Sequence, residues 1–210
     1  MSALREAPEA ATDAAALTVE SPVGRPTGQW GMFLFVATEA TFFATLLASY
    51  FYVRFSHGGP WPPDGIKDPK LLKPMVMTVL LLASSGPMIV ADHAIRHGHP
   101  RRTAAMMPIT LLLGLAFLAL QIGEYGEKLK EFTPQTDSYG SLFFLITGFH
   151  GLHVAIGLAL IAVTEVAALK GKFTAGRHER VRMVSIYWHF VDVVWIAILA
   201  SLYLTPHLRG

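Results

Sequence analysis

Glu39, His150, His153, His189 and Asp192 all lie inside long apolar runs of the sequence. A titratable side chain in such a place costs free energy unless it is paired, neutralised or put to use. Glu39 follows Trp30 by nine residues, roughly 13 Å along a helix axis, so it falls near the middle of a membrane-length span. Two readings stand for it: a hydrogen-bonded carboxyl that locks helix packing, and a group that handles protons. His150 and His153 are three apart, on roughly one helix face, among Gly148, Gly151 and Gly157. That spacing could let them share a metal, yet no Glu-x-x-His partner motif accompanies them, and a membrane haem is gripped from two helices. Histidines bonded across close-packed helices are the reading preferred here. His189 and Asp192 are also three apart and can pair within one helix, as the local alternative to a catalytic role. Glu124, with Gln121 and Tyr125, stands at the end of an apolar run, where solvation is expected to be cheap, and it joins Glu39, His150, His153, His189 and Asp192 as a candidate proton-uptake or buried polar group.

The elements that position these groups follow from hydropathy. Of 210 residues, 52% are hydrophobic and 15% are charged, which places the chain outside the usual composition of a soluble domain. A bilayer core takes about 20 apolar residues as a helix. Five segments meet that length, at 30–53, 74–94, 103–123, 139–168 and 183–204. The fold class expected is all-α: a polytopic membrane protein built as a bundle of five transmembrane helices, one domain over 29–210. Residues 1–28 carry Glu6, Glu9, Asp13 and Glu20 and lack a basic start followed by an apolar run. They read as a mobile tail rather than a secretory signal. Pro87 falls inside the second span, where a kink is expected. Tyr187, Trp188 and Trp195, with Trp61 in the first loop, read as interfacial or lipid-contacting aromatics.

Composition also narrows the chemistry. With no cysteine, disulfides, thiolate copper and iron–sulfur ligation are excluded. No phosphate-binding glycine loop, nucleophile elbow or zinc spacing is present. The net charge of +2 is confined to loops and does not suggest a nucleic-acid partner. Loops two and four hold eight Lys and Arg residues against six in loops one and three. The positive-inside rule therefore puts the N-terminus and those two loops in the cytoplasm.

Several runs together resemble the subunit III family of haem-copper terminal oxidases. Gly31-Met32-Phe33-Leu34-Phe35 with Thr38-Glu39-Ala40-Thr41-Phe42-Phe43 is similar to the family's Glu-bearing segment. Trp61-Pro62-Pro63-Asp64-Gly65-Ile66 looks like the loop of its cytochrome c oxidase branch. Leu81-Leu82-Ala83-Ser84-Ser85, Gln121 with Glu124-Tyr125, Thr147-Gly148-Phe149-His150-Gly151-Leu152-His153-Val154, and Tyr187-Trp188-His189-Phe190-Val191-Asp192-Val193-Val194-Trp195 extend the match across nearly all of 30–203. Longer family members have seven spans, so this chain resembles their short bacterial form.

The resemblance implies an accessory subunit of an aerobic, proton-translocating cytochrome c oxidase in a bacterial inner membrane. No cofactor is expected in this chain itself; haem and copper belong to partner subunits. It implies direct packing on subunit I, company with subunit II and other oxidase subunits, bound phospholipid, and membership of a respiratory complex or larger supercomplex. By the same route Glu39 corresponds to the family's carbodiimide-reactive carboxylate. The role implied is to sustain proton uptake and protect the enzyme during turnover. Competing readings are subunit III of a quinol oxidase, a relative attached to nitric oxide reductase, and a small proton-coupled transporter that relays protons through Glu39, His189 and Asp192.

Overall fold

The structure, a computed structural model, describes residues 27–63, 66, 69–174, 176 and 178–208. Hydrocarbon offers no partner to a backbone N–H or C=O, so a crossing segment must close its own hydrogen bonds as a helix. Five long apolar helices do so: α1 (Thr27–Ser56), α2 (Leu72–Arg96), α3 (Pro100–Glu131), α4 (Ser138–Leu169) and α5 (Glu179–Ile198). The last runs on through a π-helical segment, Leu199–Leu204, and a 3-10 turn, Thr205–Leu208. The protein is therefore an all-α, multi-pass membrane protein. The proposed tail lies almost wholly outside the described residues. Its final two residues, Thr27 and Gly28, belong to α1, whose start is tied to α5 by Gln29 Nε2 donating to Glu179 at 3.3 Å.

Local chemistry sets the boundaries. Asp137 caps α4 by accepting from the Gly140 N–H at 2.7 Å. Pro100 opens α3, where a missing N–H is harmless. The turn between α2 and α3 needs a left-handed residue, which Gly98 supplies at φ 76°. α2 passes through Pro87, and α3 through Pro108, without a break. α3 holds 32 residues, or about 48 Å of helix, which overshoots a hydrocarbon core of about 30 Å. This is why it continues well past Gly123 and carries Glu124, Glu127 and Lys128 on helix rather than loop.

α2, α3, α4 and α5 pack in that order around a ring, and α1 lies outside it in the groove between α4 and α5. In the most apolar stretch of each helix, 61% of α5 is buried against 6% of α1, which puts α5 at the centre and α1 at the rim. The core is aromatic. Trp188 is fully enclosed, and its indole lies against Gly114 of α3 and Gly157 of α4. Its Nε1 donates to Ser84 Oγ of α2 at 2.9 Å, so one residue joins four helices. Trp195 donates to Thr78 Oγ1 at 2.9 Å, Tyr187 to the His153 carbonyl at 3.1 Å, and Trp61 to Tyr50 OH at 3.0 Å.

These four aromatics correct the expectation of an interfacial or lipid-contacting belt. Trp61, Tyr187, Trp188 and Trp195 are 3%, 1%, 0% and 1% exposed. Each turns inward because its polar hydrogen finds an acceptor inside the bundle, which the headgroup region would otherwise have to supply.

A Cβ at Gly114 would sit 2.7 Å from both Leu158 Cδ2 and Trp188 Cη2. Gly114→Val should therefore displace the indole and destabilise the bundle by about 1–3 kcal/mol, read as a lower melting temperature of the purified protein in detergent. Gly126→Val, at a position with open space around it, should leave that temperature nearly unchanged.

Candidate intramembrane polar site

The carboxyl of Glu39 meets the imidazole of His153 in the groove where α1 lies against α4. Glu39 Oε2 is 3.0 Å from His153 Nε2. The other ring nitrogen, Nδ1, is 2.7 Å from the Phe149 carbonyl. A carbonyl oxygen only accepts, so Nδ1 carries a proton and donates it. Nε2 must then either accept from a protonated Glu39 or, as imidazolium, donate to a carboxylate. Both forms hold a single proton between the two side chains and have no net charge.

The surroundings favour that economy. Phe43 stands edge-on to the His153 ring at 5.0 Å, and Phe42 meets Phe149 at 5.0 Å. The Glu39 side chain is 24% exposed and that of His153 is 11% exposed, so the pair is reachable from outside the bundle while aromatic rings hold down the local polarity. A lone charge here would cost at least ~2.5 kcal/mol.

His150 takes the opposite direction. It is enclosed within the four-helix ring, stacked on Trp195 at 5.2 Å and edge-on to Phe117 at 5.7 Å. Neither of its ring nitrogens has a hydrogen-bond partner among the described residues. The two histidines read as sharing a face are thus split between the interior and the α1 groove. Among the described residues no group of three or more His, Asp or Glu side chains is arranged to hold a metal.

Asp192 sits in the α2–α5 seam. Its Oδ2 accepts from Ser85 Oγ and lies 3.4 Å from His189 Nδ1, while Oδ1 is buried without a partner. The expected pairing within the helix is therefore the looser contact, and a serine from α2 supplies the closer one. A second polar cluster results, on the flank of α5 away from Glu39.

Glu124 is buried, not solvated at the end of its apolar run. It is 4% exposed, with Oε2 at 3.8 Å from Lys73 Nζ, while Lys73 is 2.5 Å from Glu127. It is buried because α3 extends along α2 rather than ending before it. Beside it, Gln121 donates to the Thr147 carbonyl at 2.6 Å, and Tyr125 OH lies 2.7 Å from Thr147 Oγ1. A Cβ at Gly151 would come within 2.9 Å of Gln121, so that glycine leaves the space that lets α3 and α4 lock together.

Two buried groups escape a reading of the sequence alone. Glu165 on α4 is 8% exposed, with Oε2 unpartnered; a carboxyl within the apolar end of the fourth span was the available signal. Arg54 is buried at the end of α1, where its guanidinium donates to the Thr205 carbonyl at 3.0 Å. Nothing in the sequence marks that contact across the bundle.

Comparison with known proteins fits this architecture. Residues 14–206 match the family described as cytochrome c oxidase subunit III. The chain is 38% identical over 180 residues to cytochrome c oxidase subunit 3 of Coturnix japonica, covering 83% of this chain and 68% of the relative. Cytochrome c oxidase subunit 3 of Gallus gallus matches at the same identity and coverage. That of Oryctolagus cuniculus is 37% identical over 188 residues, covering 87% of this chain and 71% of the relative.

The shared proton makes Glu39 and His153 energetically coupled. A double-mutant cycle with Glu39→Gln and His153→Gln, read by reversible unfolding in bicelles, should give a coupling of ~0.6–1.7 kcal/mol, the range of buried polar pairs in membranes. Additive single effects would show that the two side chains do not share a proton.

Proposed function

Because the chain belongs to the cytochrome c oxidase subunit III family, and is thus a subunit of an oxidase complex, we propose that it serves that complex as a non-catalytic proton-uptake and stability subunit. It carries no redox centre of its own, and haem and copper stay in partner subunits. It packs directly on subunit I, beside subunit II and the other oxidase subunits, in a bacterial inner membrane with its N-terminus in the cytoplasm. Bound phospholipid completes its surface, and the complex can join a larger respiratory supercomplex.

The observation that carries this reading is the 3.0 Å contact between Glu39, on the outermost helix, and His153, on α4. A pair that is neutral in both of its forms can pass a proton on and take one up without stranding a net charge in hydrocarbon. On α1 the hydroxyls of Thr38, Thr41, Thr45 and Ser49 are exposed, and each donates to a carbonyl of its own helix at 2.7–2.9 Å. Such a face is small and self-satisfied, which suits close approach by a helix of another subunit.

In the assembled oxidase, Glu39→Gln keeps the shape of the side chain and removes its titration. Proton uptake should slow, or activity should be lost faster under continuous turnover, while the reduced-minus-oxidised haem spectrum stays the same. Normal uptake and normal lifetime together would remove Glu39 from the role given to it here.

A further inference from the structure

The turn between α2 and α3 concentrates cations at one end of the bundle. His99 N–H donates to the Ala94 carbonyl at 2.9 Å and Gly98 N–H to that of Ile95 at 3.1 Å, so the turn is a fixed structure. On one side of it opens a hollow of about 400 Å³, lined by Ile89 and Val90 below and by His93, Arg96, His99 and Arg102 above. A second hollow of about 420 Å³ adjoins the turn, and it shares His99 and Arg102 and adds Arg101. Among the described residues, no acidic side chain lines either one.

The charges are not equivalent. Arg96 is committed to Asp92, with Nη2 at 3.0 Å from Oδ2 and Nε donating to the Asp92 carbonyl at 3.3 Å. Arg101 and Arg102 are exposed on the first turn of α3, whose helix dipole adds positive potential there. His93 and His97 stack with ring centroids 4.1 Å apart, and His97 Nδ1 donates to the His93 carbonyl at 2.8 Å. Below this cationic rim the wall turns apolar at once. Ile89 is 56% exposed and Leu82, two turns further along α2, is 44% exposed.

We propose that this turn is a headgroup site for an anionic phospholipid, with the phosphodiester between Arg102 and His99 and an acyl chain laid along Ile89 and Leu82 of α2. A free anion would use only the rim. The apolar wall running on from it selects an amphiphile, and basic pockets at the ends of membrane helices are suited to such headgroups. The proposal gives a position to the phospholipid included in the proposed function. It rests on the membrane-spanning fold and not on the proton-uptake role.

The test uses the complex purified from native membranes in mild detergent, with retained lipids counted by native mass spectrometry. Three variants are compared with the unaltered protein: R101Q/R102Q at the site, K170Q/K172Q as an equal loss of charge on the neighbouring turn, and E39Q. After delipidation, phosphatidylglycerol or phosphatidylcholine is added back. The unaltered protein, K170Q/K172Q and E39Q should each retain and rebind phosphatidylglycerol, whereas R101Q/R102Q should hold it roughly tenfold to thirtyfold more weakly. Should the double variant fail to assemble, R102Q alone should show a smaller loss of the same lipid. Equal retention in the site variants, equal loss in both double variants, or rebinding of phosphatidylcholine as strong as that of phosphatidylglycerol would overturn the site. Because E39Q is scored for lipid and not for turnover, failure of the lipid site and failure of the proton-uptake reading remain separable.

Discussion

Inside a bilayer, a polar hydrogen that finds no acceptor in the protein finds none at all, and that constraint orders most of what is seen here. It explains why the tryptophans of α5 point to the centre of the bundle: Ser84 and Thr78 on α2 offer hydroxyl oxygens at 2.9 Å. The same constraint turns Gln121 and Tyr125 toward Thr147. It also brings Asp192 against Ser85. Each of these contacts joins two helices, so satisfying the groups and assembling the bundle are one process. The glycines at 114, 151 and 157 follow from it, since the donors reach their acceptors only where a neighbouring Cβ is missing.

α5 is the element on which this arrangement converges. It touches α1, α2 and α4, and its two flanks serve different polar groups. On one flank Tyr187 donates to the carbonyl of His153, the residue that holds Glu39. On the other, Asp192 and His189 face α2. The interior between them is filled by Trp188, Trp195 and the unpartnered imidazole of His150. An aromatic core thus stands between the two polar groups. Glu39 and His153 belong to the α1 groove, and Asp192 belongs to the α2–α5 seam.

Much of this was legible in the sequence, and the remainder was hidden for a definite reason. Span number follows from hydropathy because the bilayer thickness is a fixed length, and Glu39 stood out because nothing near it in sequence could neutralise it. Which way a side chain faces depends on the rotation of its helix against neighbours that are distant in sequence. That is why Tyr187, Trp188 and Trp195 were assigned to the interface and are found inside. It is also why Glu124 was expected in solvent and is found beneath Lys73. The partner of Glu39 lies 114 residues away, and no local spacing could have named it. The separation of His150 from His153 has the same origin: α1 covers only one edge of the face they share.

The location of the Glu39–His153 pair at the rim carries a further consequence. Were Glu39 on α5, in the middle of the ring, its proton would be held by a core that opens only when the bundle loosens. On α1 it sits on the helix with the fewest internal contacts, one that still sends Phe43 and Tyr50 into the core. The hydrogen bond of 3.0 Å to His153 restrains the carboxyl, and its strength depends on which atom holds the proton. A charge-separated pair makes the shorter and stronger hydrogen bond, and a neutral pair makes the weaker one. Under the proposed role, the proton held at this one contact bears on how α1 seats against α4.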